Sequence, residues 1–131
     1  MPITKDSARQ DVACAIVPFT YADFVSGTFN PAAELPIGAI IVGGAVRIDT
    51  AFNSATSDVL GVGISTSTAK YGSAFNIHAA GSFPLTGLGI KEADKIDIGL
   101  TWTGVGAVPT AGAGRLVVMY AKASKVEWSQ G

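Results

Sequence analysis

The chain has 131 residues and a formal net charge of −1, with glycine abundant at 16 residues and charged residues scarce at 15%. That length suits one domain, large enough to bury a core without staples. The balanced, dispersed charge excludes the basic footprint of a nucleic-acid binder, and the glycine content argues against a helical bundle.

Residues 1–11, MPITKDSARQD, are polar, mixed in charge and without period. They read as an N-terminal arm and not as the apolar core of a secretory leader. Val12 to Phe19 is the first predicted strand. Val12, Cys14 and Ile16 fall on one face, and Ala13, Ala15 and Val17 on the other. Both faces are apolar, which predicts a sandwiched strand or a subunit contact. Cys14 is the only cysteine, so no intramolecular disulfide can form. Its apolar flanks predict a buried thiol packed as a small hydrophobe. Tyr21 to Phe24 reads as a bent continuation. Ser26-Gly27 is a turn signal, and Asn30-Pro31 is a breaker.

Pro36 and Gly38 open the strongest sheet-forming stretch, Leu35 to Ile64. Ala39 to Val46 is apolar and interrupted by Gly43-Gly44, which predicts a bulge. Val46, Ile48, Thr50 and Phe52 then share one face, and Arg47 and Asp49 the other. A polar loop, Asn53 to Asp58, reads as an exposed tip. Leu60, Val62 and Ile64 alternate on the next strand. Ser65 to Ser73 reads as loop. Ala74 to Ala79 puts Phe75 and Ile77 on one side, with Asn76 and His78 on the surface side. Gly81 to Gly89 is a turn-rich connection.

Ile90 to Asp94 reads as a mixed-charge, solvated turn. Lys95 to Thr103 alternates cleanly, with Ile96, Ile98, Leu100 and Trp102 inward. Gly104 to Gly114 reads as loop. Arg115 to Lys122 returns as a strand with Leu116, Val118 and Tyr120 inward. In the tail, residues 123–131, Val126 and Trp128 stand two apart and share one side of an extended segment. Seven or eight short strands without a helix predict an all-β fold: an antiparallel β-sandwich, jelly-roll-like, or a small barrel. The domain spans 12–122, and Ile48, Phe52, Leu60, Val62, Ile98, Leu100, Trp102, Leu116, Val118 and Tyr120 are its predicted core.

Chemistry-bearing patterns are sparse. His78 is the only histidine, and no G-x-S-x-G elbow accompanies it. One histidine and one cysteine do not make a zinc set, and Asp49, Thr50 and Asp58 lack calcium-loop spacing. GVGAVPTAGAG lacks the Lys-Ser/Thr ending of a phosphate loop. The uncharged run Tyr71 to Ile90 is too broken to cross a membrane. The expectation is a non-enzyme without cofactor or metal, bound to neither nucleic acid nor membrane.

LPIGAIIVGGAVRIDTAFNSATSDVLGVG, followed by PTAGAGRLVVMYAKASKVEWSQG, resembles a family of small β-rich virion proteins of tailed bacteriophages, of the capsid decoration or cement type. The resemblance covers residues 35–64 and 100–131. It implies a structural protein that binds the major capsid protein on the outer head surface, as a homo-oligomer, a trimer, assembled in the host cytoplasm. The alternative is a host-recognition or carbohydrate-binding module of a tail or head fibre. The residues assigned to partner contact are Val12, Cys14, Ile16 and Val17 on the first strand and Val126 and Trp128 in the tail.

Overall fold

The computed structural model describes residues 12–90, 92 and 96–122. Eight strands follow in order: β1 (Ala13–Thr20), β2 (Phe29–Leu35), β3 (Ala39–Thr50), β4 (Ser57–Ile64), β5 (Ser67–Asn76), β6 (Gly81–Pro84), β7 (Ile96–Val105) and β8 (Ala113–Lys122). A one-turn 3-10 helix, Tyr21–Asp23, links β1 to β2. All pairings are antiparallel. The strands form two four-stranded sheets, β1-β8-β3-β6 (sheet A) and β2-β7-β4-β5 (sheet B). This order is that of an eight-stranded jelly roll, in which successive strands cross between two sheets and each sheet has two edges.

The core lies between the sheets, where alternation brings one face of each strand. Sheet A contributes Ile41, Val46, Ile48, Leu116 and Val118; sheet B contributes Leu35, Leu60, Val62, Ile98 and Leu100. At the end carrying the β3–β4 loop, Phe19, Phe24, Phe52 and Trp102 form an aromatic cluster, with Phe19 edge-on to Phe24 at 5.4 Å between ring centres. Nine of the ten predicted core residues are buried, and Tyr120 is partly buried against them.

The glycine pair in β3 marks a real change of phase. The β3–β8 register shifts between Ile41 and Gly43, which leaves Val42 without a partner. Ile41 faces the core before the shift, and Val46 and Ile48 face it afterwards. A second shift between Ile48 and Thr50 turns Thr50 outward, against the predicted pattern.

Several expectations are corrected. The stretch around Asn30-Pro31 is a strand: Pro31 is tolerated because β2 is an edge and the register shifts beside it. Residues 67–73 are strand and not loop, held by the buried ring of Tyr71. Gly81–Pro84 pairs with β3 as an edge strand. Gly104-Val105 and Ala113-Gly114 belong to β7 and β8. Tyr21–Asp23 is helical because Asp23 Oδ2 accepts the Thr20 backbone N–H at 2.7 Å.

Candidate interaction surface

Two carboxylates are buried among the described residues, Asp58 and Glu92, and each is held by neighbouring donors. Asp58 has no exposed surface, although its loop was expected to be a solvated tip. Its Oδ1 accepts Ser54 Oγ at 2.5 Å and Trp102 Nε1 at 2.9 Å; Oδ2 accepts the Ser54 backbone N–H at 2.9 Å. His78 Nδ1 lies 2.7 Å from Oδ2. Burial alone would push the Asp58 carboxyl up, but the bonds from Ser54, His78 and Trp102 outweigh it and hold it below the usual carboxylate range.

Ser54, His78 and Asp58 do not form a catalytic triad. In a triad the imidazole stands between carboxylate and serine and takes the serine's proton. Here both partners bond the same carboxylate, so no base reaches Ser54 Oγ, and Ser54 is itself buried. His78 sits in the turn after β5 and not on a strand.

Glu92 is 6% exposed, which corrects the solvated turn expected there. Lys70 Nζ lies 2.6 Å from its Oε2, and the Tyr71 hydroxyl donates to the same oxygen. Burial raises the Glu92 carboxyl; the Lys70 and Tyr71 bonds and the Lys70 charge bring it net below its ordinary value. Burial and Glu92 push the Tyr71 hydroxyl up. The Glu92 N–H also donates to the Ala39 carbonyl, and its carbonyl accepts the Gly38 N–H. Glu92 is therefore pinned by its own backbone against the start of β3. Among the described residues, no three His, Cys, Asp or Glu side chains gather as a metal set.

What remains is a surface. Cross-strand pairs on the outer face of sheet A match Cys14 with Met119 and Ile16 with Val117, and these in turn with Gly43 and Ala45. Ile16 is 62% exposed, and Val12, Cys14, Val42 and Met119 are exposed with it. Leu88 and Ile90 are exposed beside the start of β3, where Gly89 N–H donates to the Ile41 carbonyl. The charged side chains described on this face gather at its other end. There Arg115 Nη2 lies 2.7 Å and Arg47 Nε 3.5 Å from the Asp49 carboxylate. The hydrogen bond from Arg115 holds Asp49 below its ordinary range.

The expected contact residues divide. Val12, Cys14 and Ile16 lie exposed along the edge strand, while Val17 turns inward and packs on the core. Cys14 is exposed and not the buried thiol expected, because among the described residues no layer covers the outer face of β1. Val126 and Trp128 lie outside the described residues. The parts of this face that the sequence alone did not assemble are Val42, Val117 and Met119. Sequence shows them only as the off-phase residues of strands read for their inward face.

The sequence matches no protein-family model and no curated protein. The fold is similar to chains in three solved structures. A chain in the cyanophage Pam1 capsid asymmetric unit has a TM-score of 0.68 at 22% identity, over 92% of this chain and 99% of that one. A chain in the capsid of Ralstonia phage GP4 gives 0.66 at 20% identity, over 95% and 93%. A chain in the acidic stable capsid structure of Helicobacter pylori bacteriophage KHP30 gives 0.67 at 13% identity, over 86% and 89%. At these identities the likeness is one of fold: this jelly roll is shared, nearly end to end, with chains of similar length in phage capsids.

Proposed function

We propose that this chain is a non-enzymatic structural protein of a phage virion, of the decoration or cement type, that binds the outer surface of the assembled head. Its partners on this reading are the major capsid protein and further copies of itself, as a trimer at local threefold positions. The observation that supports it most is the two-way coverage of the structural likeness. Each matched chain is spanned nearly whole, so the similarity is to a small separate chain and not to a domain of a large shell protein. The outer face of sheet A, apolar and exposed among the described residues, is the surface such a role would use.

The mechanism is mass action. A protein that binds the assembled lattice and not its separated subunits raises the free energy needed to open the lattice. No bond is made or broken, which agrees with buried carboxylates that serve only packing. A single cysteine suits assembly in the reducing host cytoplasm.

The test is add-back. Heads made without this protein are purified, the protein is added, and bound copies are counted by electron cryomicroscopy while rupture is followed by heating. Binding in fixed proportion to the major capsid protein, with a higher rupture temperature, is the expected result. A handful of copies confined to the tail would favour a host-recognition module instead.

A further inference from the structure

Three loops meet at the end of the sandwich that carries the aromatic cluster: 21–28 between β1 and β2, 51–56 between β3 and β4, and 106–112 between β7 and β8. Hydrogen bonds tie them to one another and to the end of β7. Gly27 N–H donates to the Trp102 carbonyl at 2.8 Å, and Gly104 N–H donates to Ser26 Oγ at 3.1 Å. Thr56 N–H donates to the Val105 carbonyl at 2.9 Å. Asn53 Oδ1 accepts the N–H groups of Thr110 and Ala111 at 2.8 and 3.0 Å. Between the loops lies a cavity of about 300 Å³. Its floor is Trp102, which is only 7% exposed and is fixed through Nε1 to Asp58. Gly104 beside it is bare because a Cβ there would fall on the Trp102 ring. Val25 and Val108 stand at the mouth, 69% and 82% exposed.

Charge and size decide what the cavity takes. Across the three loops Asp23 alone is charged, and its Oδ2 is turned to the Thr20 N–H. Among the described residues no charged side chain lines the cavity, so a charged group entering it would lose water and meet no counter-charge. A cavity of about 150 Å³ is enough for a benzene ring, so this one admits a whole aliphatic or aromatic side chain. The Ser26 hydroxyl accepts from Gly104 and keeps its own proton to donate. Val25 and Val108 carry the apolar surface past the mouth, as the rim around an interface anchor does. The loops are already cross-tied, so they lose little freedom on binding. We propose that this end of the domain binds a protein partner through one uncharged apolar side chain of leucine or phenylalanine size. That side chain seats on Trp102 between Val25 and Val108, and the carbonyl beside it accepts the Ser26 proton. The proposal stands apart from the capsid reading, since it concerns the chemistry of the contact and is tested on the isolated chain.

The probe is N-acetyl-leucine amide, which offers such a side chain and a carbonyl without charge. It is titrated into the isotope-labelled full chain, and backbone amide shifts are followed by NMR. The amides of Ser26, Gly104, Gly106 and Val108 should move together and saturate, with a dissociation constant of about 1–10 mM for a probe of this size. N-acetyl-aspartate amide, of similar length but charged, should bind at least about tenfold more weakly. Ala107→Phe puts a ring into the cavity and should weaken the leucine probe by about tenfold or more. Ser26→Ala removes the donor and should weaken it about threefold to tenfold. Ala107 and Ser26 are exposed, so both variants should melt as the unaltered chain does. Val108→Asp replaces Ala107→Phe if the latter fails to fold.

Four results would overturn the proposal. One is the absence of a saturable shift in the full chain, which would mean that the cavity is too shallow or that another part of the chain fills it. A second is binding that survives Ala107→Phe, which would place the probe elsewhere. A third is equal affinity for the charged analogue, since the site would then not select an uncharged group. The last is affinity unchanged by Ser26→Ala, which would leave the carbonyl without its donor.

Discussion

The side chain of Met119 lies across the bare backbone of Gly43: a Cβ built on Gly43 would stand 2.6 Å from Met119 Cε. The next residue, Gly44, is bare for a different reason. Its φ is +135°, and a Cβ there would fall on the carbonyl oxygen of Val117 and within 3.0 Å of Leu85 Cδ1. The two alanine substitutions should therefore part. Gly43→Ala meets only the far end of a flexible side chain and should cost under about 1 kcal/mol. Gly44→Ala meets backbone and a strained φ, and should cost about 3 kcal/mol. Urea denaturation of both variants checks the order; equal costs would contradict the bulge geometry.

Asp58 gives a second ordered pair. Asp58→Ala leaves Trp102 Nε1 and both Ser54 donors buried without an acceptor, and should destabilise the fold by about 3 kcal/mol. His78→Ala removes one partner of the same carboxylate from a partly exposed position and should cost about 1 kcal/mol or less. A larger loss for His78→Ala would show that the imidazole, and not the buried donors, holds the carboxylate in place.

The acid limb of stability should follow Glu92 and Asp58. Both carboxyls are held below their ordinary values, 4.5 and 3.8. A depressed carboxyl contributes stability that is complete above its unfolded value and lost as pH falls through the folded one. Stability should thus be level from about pH 7 to about pH 5 and fall below about pH 4. Tyr71 works in the opposite sense. Its hydroxyl is raised above 10.0, so its contribution holds below that pH and is lost as the pH climbs through the raised value. Glu92→Gln should lower stability at neutral pH and flatten the acid limb. An acid limb as steep as that of the unaltered chain would exclude Glu92 as a source.

The strands readable in the sequence and those that were not differ by position in the sheets. β3, β4, β7 and β8 are the central strands, and each shows alternation because one face must meet the core along most of its length. β2 and β6 were missed and β5 was read only from Ala74 onward; all three are edges, as is β1, which was read because both its faces are apolar. An edge strand pairs on one side only, so Pro31 in β2 and the Ser/Thr run of β5 cost little there. The surface was half legible. Val12, Cys14 and Ile16 stood out because both faces of their strand are apolar, whereas Met119 and Val42 join them only once β8 and β3 are laid side by side. Asp58 and Glu92 looked like solvated loop charges because their donors, Trp102 and Tyr71, lie 44 and 21 residues away in sequence.

Two isoleucines on opposite sides of the sandwich give the last prediction. Ile98, on central strand β7, has no exposed surface and packs in the core. Ile16, on edge strand β1, is 62% exposed on the outer face of sheet A. The same substitution removes the same methylenes from both, so the difference isolates burial. Ile98→Ala loses the transfer energy of the side chain and leaves a cavity between the sheets, a loss of about 2–5 kcal/mol. Ile16→Ala removes atoms that already meet water, so the isolated chain should change by no more than about 0.5 kcal/mol. Urea melts at low concentration measure both costs free of association. Sedimentation at high concentration then separates the roles: Ile98→Ala should associate normally wherever it remains folded, and Ile16→Ala should associate more weakly although its fold is intact. If Ile16→Ala destabilised the dilute chain as much as Ile98→Ala does, the outer face of β1 would belong to the domain's own core, and the surface assigned here would be wrong.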